Sequence, residues 1–140
     1  VQPRMSGNEY GGDVYVDTIS GEVVAWFCKE KLRMRAGETE KSKSVKNDQI
    51  KDLVFKAVSF LQLRGPLDVD VMEQDGEYFI LEINPRFGGG YPHAYECGVS
   101  FPKCIACNAR KESNPVCLDA YQEDTVAMKF SDIIVRETDD

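Results

Sequence analysis

Residues 67–90, LDVDVMEQDGEYFILEINPRFGGG, set acidic and amide side chains where two neighbouring strands would present them together. The first arm alternates apolar Leu67, Val69 and Val71 with Asp68 and Asp70. That is the period-2 signature of a half-buried strand, so the two acids share one face. The second arm, Tyr78 to Asn84, sets Glu82 and Asn84 against Leu81 and Ile83 in the same way. Asp75-Gly76 marks the turn between the arms. A two-residue loop would set Asp70 opposite Leu81; a three-residue loop, Asp75-Gly76-Glu77, sets it opposite Glu82, and this is the register we expect. Two carboxylates and an amide oxygen then converge within roughly 5 Å, where like charges repel unless a cation or a proton intervenes. Hard oxygen donors of this kind suit Mg²⁺.

Pro85 fixes its own φ and pushes Asn84 toward an extended conformation, which stiffens the donor-bearing strand end. Arg86 follows with a fork of donors suited to phosphate oxygens, and Gly88-Gly89-Gly90 lets backbone pass where side chains would collide. The competing interpretation is an acidic, solvent-facing hairpin with a glycine-rich exit. Glu-Ile-Asn-Pro-Arg after a buried strand, combined with the paired acids of the first arm, is more specific than any lone acid pair.

Gly65 to Pro102, GPLDVDVMEQDGEYFILEINPRFGGGYPHAYECGVSFP, resembles the C-terminal core of the ATP-grasp superfamily and is most similar to carbamoyl-phosphate-synthase-large-subunit-like and amino-acid ligases. VQPRMSGNEYGGDVYVD, Val1 to Asp17, resembles the family's hinge segment, so the likeness covers roughly residues 1 to 105. The resemblance implies ATP and Mg²⁺ as cofactors, with Mn²⁺ as a possible substitute. It also implies an acyl-phosphate route from a small-molecule carboxylate to an amine or ammonia. By position it makes Asp70 and Glu82 metal carboxylates, with Glu82 bridging two ions, and Asn84 an amide ligand. Arg86 becomes the residue that approaches the terminal phosphate or acyl-phosphate; Val1 and Gln2 meet the adenine edge, and Glu9 meets the ribose hydroxyls. Asp68, one strand position pair away, is expected to matter less. The family's N-terminal nucleotide subdomain, with two phosphate-gripping lysines and a glycine-rich loop, lies before the hinge. Residues 1–140 are therefore expected to be a single domain of a longer ATP-grasp protein, or one partner of a split enzyme, inactive when isolated. A non-catalytic nucleotide-binding or interaction domain is the alternative.

Composition suits a soluble globule, with 42% hydrophobic residues in 140. No apolar run reaches membrane-spanning length or resembles a signal peptide, so neither a membrane nor secretion is expected and the cytoplasm is the default. A net charge of -7 argues against nucleic acid, which rewards clustered Lys and Arg. Cys28, Cys97, Cys104, Cys107 and Cys117 form an odd, irregular set that reads as reduced thiols. Cys104-x-x-Cys107 falls in a helical pattern with no second pair, a weak zinc signal. His93 reads as a structural or substrate-pocket residue rather than a catalytic base.

These residues need a scaffold. Two strands, Glu9 to Asp17 and Glu22 to Cys28, are joined by a turn at Ser20-Gly21. Lys29 to Lys46 reads as a long charged surface loop, with Arg33 and Arg35 as candidate phosphate contacts that order over nucleotide. Asn47 or Asp48 caps a helix whose stripe Ile50, Leu53, Val54, Ala57, Val58 and Leu61 runs to Gly65-Pro66. A helical turn over Pro92 to Cys97 ends at Gly98, a helix opens at Pro102 and runs to about Ala109, and Asp124 to Arg136 reads as a closing strand pair or an edge strand. The fold class implied is α+β, a largely antiparallel sheet with helices packed on one face.

Overall fold

Alternation along the strands decides which face of the sheet is dry. Leu67, Val69 and Val71 are fully buried, whereas Asp68, Asp70 and Met72 between them are only partly so. The computed structural model describes residues 5–136. Its chain order is β1 (Glu9–Val16), β2 (Val23–Arg35), β3 (Glu38–Ser44), α1 (Asp48–Phe60), β4 (Gly65–Gln74), β5 (Glu77–Asn84), α2 (Tyr91–Glu96), α3 (Phe101–Ala109) and β6 (Val126–Met128). The six strands form one antiparallel sheet in the order β5-β4-β1-β2-β3-β6. No described helix is long and apolar enough to cross a membrane.

The α+β class with a largely antiparallel sheet is as expected, and the helices divide between its two faces. Trp26 and Phe27 are neighbours on β2 and so point to opposite sides. Phe55 of α1 meets the Trp26 ring edge-on at 5.5 Å, and His93 of α2 meets Phe27 at 4.9 Å. Phe101 of α3 packs on Tyr15 at 5.5 Å, on the Phe27 side. Gly12 makes room for Trp26, since a Cβ there would come within 2.7 Å of the indole. The second face is thus apolar where α2 and α3 lie, and it carries Asp13, Lys29, Lys31, Asp68 and Asp70 beyond them.

Three local expectations are corrected. Residues 29–46 form no long loop: β2 continues to Arg35, turns at Ala36-Gly37 and returns as β3. Lys29, Lys31, Arg33 and Arg35 themselves alternate with Glu30, Leu32 and Met34, so the segment has a strand's period without a strand's usual composition. Helix α1, capped by the Asn47 side chain accepting from the Ile50 N–H at 3.0 Å, stops at Phe60 rather than running to Gly65. Gln62 takes a left-handed φ of 52°, and Leu63 N–H donates to the Val58 carbonyl at 3.2 Å, closing the end without the glycine that usually signals it. Leu61 is left exposed. The closing strand shrinks to Val126–Met128, whose alternating apolar residues Val126 and Met128 face solvent while Ala127 is partly covered.

The β1–β2 turn is fastened by the fully buried Asp17. Its carboxylate accepts hydrogen bonds from the backbone N–H groups of Ile19, Ser20 and Asn114 and from the side-chain amides of Asn108 and Asn114, all between 2.7 and 2.9 Å. Burial alone would raise this carboxyl; the donors outweigh it and hold it well below the usual carboxylate range. A depressed folded-state value means the stabilisation is present above the unfolded value of about 4 and is lost as pH falls through the folded value. We therefore expect urea midpoints that decline below about pH 4 in the parent and decline less in Asp17→Ala, which itself costs about 1–3 kcal/mol at neutral pH. Gln62→Gly should instead stabilise by about 1 kcal/mol, read as a higher urea midpoint, because glycine removes the left-handed penalty at an exposed helix end.

Candidate functional site

Asp70 lies directly opposite Glu82, and Asp68 directly opposite Asn84. Opposed residues of an antiparallel pair project to the same side, so all four oxygen-bearing side chains stand on one face. The expected three-residue loop is absent: Gln74 pairs with Glu77 across a two-residue Asp75-Gly76 turn, with φ of 54° and 82°. Positive φ at both central residues suits the tight turn that follows the natural strand twist, which Asp-Gly favours. The register is recovered further along, where Val71 pairs with Ile80 and Asp70 with Glu82, leaving Leu81 as a bulge. Without that extra residue Asp70 would face Leu81.

Behind this array the charges interleave. On β1, Asp13 is opposite Asp68 and Gly11 opposite Asp70. Lys29 of β2 forms a buried ion pair with Asp13, and Lys31 reaches both Glu9, at 2.5 Å, and Asp70, at 2.7 Å. Burial by itself lowers the Lys31 ammonium; Asp70 and Glu9 more than reverse this and hold it raised. Asp68 is pushed up by burial and by the neighbouring Asp13 and Asp70, with Lys29 and Arg86 pulling the other way.

The Asn-Pro-Arg exit is fixed from both sides. Arg86 Nη1 donates to Asp68 at 3.2 Å and to the Phe87 carbonyl at 2.9 Å. The Phe87 ring packs on Tyr91 at 4.8 Å, and the Tyr91 hydroxyl accepts from the Phe101 N–H at 2.7 Å. A Cβ on Gly88 would lie 2.4 Å from Asp68, and one on Gly90 would lie 2.7 Å from Lys29, so the glycines admit the backbone over the charged row. Between this loop and the strands lies a cleft of about 330 Å³, lined by Lys29, Lys31, Asp68, Asp70 and Arg86 among others.

The structure thus brings Asp70, Glu82, Asn84 and Arg86 to one region. Glu82 is exposed, and neither it nor Asn84 makes a side-chain hydrogen bond among the described residues. Glu9 adjoins Asp70 through Lys31. Arg33 and Arg35 extend into solvent and pair with Glu40 at 2.7 and 3.5 Å; neither lines the cleft. Val1 and Gln2 lie outside the described residues. Asp68, expected to be secondary, holds Arg86 and supports Gly88. Lys29 and Lys31 escape a reading of residues 29–46 as a loop, although their period-2 spacing is visible, and Asp13, inside an expected strand, carries no local signal of the lysine it pairs with. Ser42 Oγ lies 2.8 Å from His93 Nδ1, a buried contact that ties β3 to α2 and that no sequence spacing indicates.

As a cation site, Asp70, Glu82 and the Asn84 amide oxygen supply hard donors of the right kind. Among the described residues no group of three or more His, Cys, Asp or Glu side chains is arranged to hold a metal ion by itself. Mg²⁺ in nucleotide enzymes takes few protein ligands and the remainder from phosphate oxygens and water, a role that oxygen donors of this kind are chemically able to fill. All five cysteines are free thiols.

Several biotin carboxylase structures share this fold. The biotin carboxylase domain of a thermophilic 2-oxoglutarate carboxylase, bound to bicarbonate, superposes with a TM-score of 0.70 at 14% identity, over 88% of this chain and 30% of that one. The corresponding domain from Hydrogenobacter thermophilus, in complex with MgADP, ADP and bicarbonate, gives 0.67 at 16% identity, over 85% and 28%. A pyruvate carboxylase from Rhizobium etli, with the allosteric activator acetyl coenzyme-A, gives 0.64 at 14% identity, over 85% and 13%. The chain spans less than a third of the length of each, and at these identities the likeness is one of fold. No curated protein matches the sequence. A family model described as "ATP-grasp in the biosynthetic pathway with Ter operon" matches residues 1–134, nearly the whole chain. With its antiparallel sheet and the carboxylate–amide array at the Glu-Ile-Asn-Pro-Arg strand end, the chain belongs to this ATP-grasp family.

Proposed function

We propose that residues 1–140 form the C-terminal, metal- and phosphate-binding part of an ATP-dependent carboxylate–amine ligase, similar to the carbamoyl-phosphate-synthase-like ligases. The observation that carries this reading is the pairing of Asp70 with Glu82 on the face that also bears Asn84, ending in Arg86. Asp70, Glu82 and Asn84 would hold Mg²⁺, which when bound neutralises charge on the transferring phosphoryl group. Arg86, already aimed along the cleft by Asp68, would donate to phosphate or acyl-phosphate oxygens. In the reaction a substrate carboxylate oxygen attacks the terminal phosphorus and ADP leaves; the amine nitrogen then attacks the acyl carbon and inorganic phosphate leaves. Val1 and Gln2 at adenine and Glu9 at ribose rest on the family resemblance. So does an upstream nucleotide subdomain, in the same polypeptide or as a separate chain.

One observation favours the second reading, a non-catalytic nucleotide-binding or interaction domain. Lys31 already neutralises Asp70, so part of the array is electrostatically satisfied by the protein alone.

The test uses the protein with its upstream subdomain. Glu82→Gln keeps the shape and removes the charge, so carboxylate-dependent ADP release should fall by about 100-fold or more while circular dichroism and the unfolding midpoint stay near the parent's. A Glu82→Gln protein as active as the parent would remove the ligase assignment and leave the fold.

A further inference from the structure

Lys31 has no obvious path to Asp70, because β1 lies between their strands. The path is Gly11. This residue stands opposite Asp70 and has no side chain; a Cβ there would lie 3.4 Å from Lys31 Cε and 3.1 Å from Lys29 Cε. The Lys31 stem crosses β1 over this gap and places Nζ 2.5 Å from Glu9 and 2.7 Å from Asp70, with only 6% of the side chain exposed. A surface lysine would seek water; this one is held inside, over a glycine, against one of the two carboxylates that face each other across β4 and β5. The ammonium is desolvated while Asp70 and Glu9 keep 26% and 29% of their side chains exposed, so the Asp70 carboxylate stays open to a further ligand.

We propose that Lys31 is a positioning residue for the cation site: its ammonium neutralises and aims Asp70 in the cation-free protein, and yields that carboxylate when a divalent cation binds. The inference rests on the metal role proposed above for Asp70. Two consequences separate it from simple structural support. Removing the positive charge leaves Glu9 and Asp70 facing one another uncompensated, so the cation-free protein loses stability. It also removes the competitor for Asp70, so a divalent cation binds more tightly and restores what was lost.

The probe is Mn²⁺, titrated by electron paramagnetic resonance into the full-length protein, with and without ADP, alongside thermal unfolding in EDTA and in Mn²⁺. Lys31→Gln, which keeps reach and hydrogen bonding, and Lys31→Met give two chances of a folded variant. The expected result is Mn²⁺ affinity about ten-fold higher than the parent's in the absence of ADP, with an unfolding midpoint lowered in EDTA and largely recovered by Mn²⁺. Unchanged or weaker Mn²⁺ affinity, or a midpoint deficit that Mn²⁺ does not move, would make Lys31 merely structural and overturn the proposal. Absence of Mn²⁺ binding in parent and variants alike, even with ADP, would instead overturn the metal reading of Asp70 together with this inference. The two failures are thus distinguishable.

Discussion

Like charges on adjacent strands are the constraint that organises this sheet. Glu9, Asp13, Asp68, Asp70 and Glu82 occupy one face of three neighbouring strands. Two such carboxylates about 5 Å apart repel by roughly 3 kcal/mol at an effective dielectric near 20, so several together would open the sheet. Lys29, Lys31 and Arg86 prevent this, each within contact of at least one acid. The value of Lys29 and Lys31 lies in burial: the exposed pairs of Arg33 and Arg35 with Glu40 each contribute about 0–1 kcal/mol. The cations can reach the acids only because Gly11 leaves room on β1 and Gly90 leaves room in the loop above.

The same face changes character along its length. Toward Tyr15 and Phe27 it is covered by α2 and α3, whose aromatic residues Tyr91 and Phe101 stack at 4.7 Å. Phe87 joins that cluster and so ties the Asn-Pro-Arg-Phe exit to a rigid support. The charged row therefore lies at the border of a dry core rather than in open solvent, which is where electrostatic interactions gain strength without full desolvation. On the opposite face Val14, Trp26 and Val69 are buried beneath α1, whose Val54 and Val58 are buried as well. Asn47 connects the two tasks, capping α1 with its carbonyl oxygen and donating to the Tyr78 hydroxyl on β5.

Much of this arrangement was legible in the chain itself. Strict alternation in Leu67–Val71 assigned Asp68 and Asp70 to one face, and Asn47, Pro92, Gly98 and Pro102 marked helix boundaries, because these signals are local and each acts through one residue's own backbone or cap. The resemblance at Glu-Ile-Asn-Pro-Arg pointed to the ATP-grasp family for the same reason, a short motif with its chemistry in sequence. What sequence left undecided depended on partners distant in the chain. Lys29 to Lys46 has too little apolar content to read as strands, and it becomes the end of β2 and all of β3 as Lys29 and Lys31 find Asp13 and Glu9 on β1 and Asp70 beyond it. The facing of Asp70 and Glu82 was reached through the wrong loop length: Asp75-Gly76 forms the tight turn, and the Leu81 bulge, a compromise of twist and packing along the whole hairpin, restores the register. Local residue types fixed which atoms could do chemistry, and only long-range pairing, set by charge neutralisation and sheet twist, decided which of them stand together.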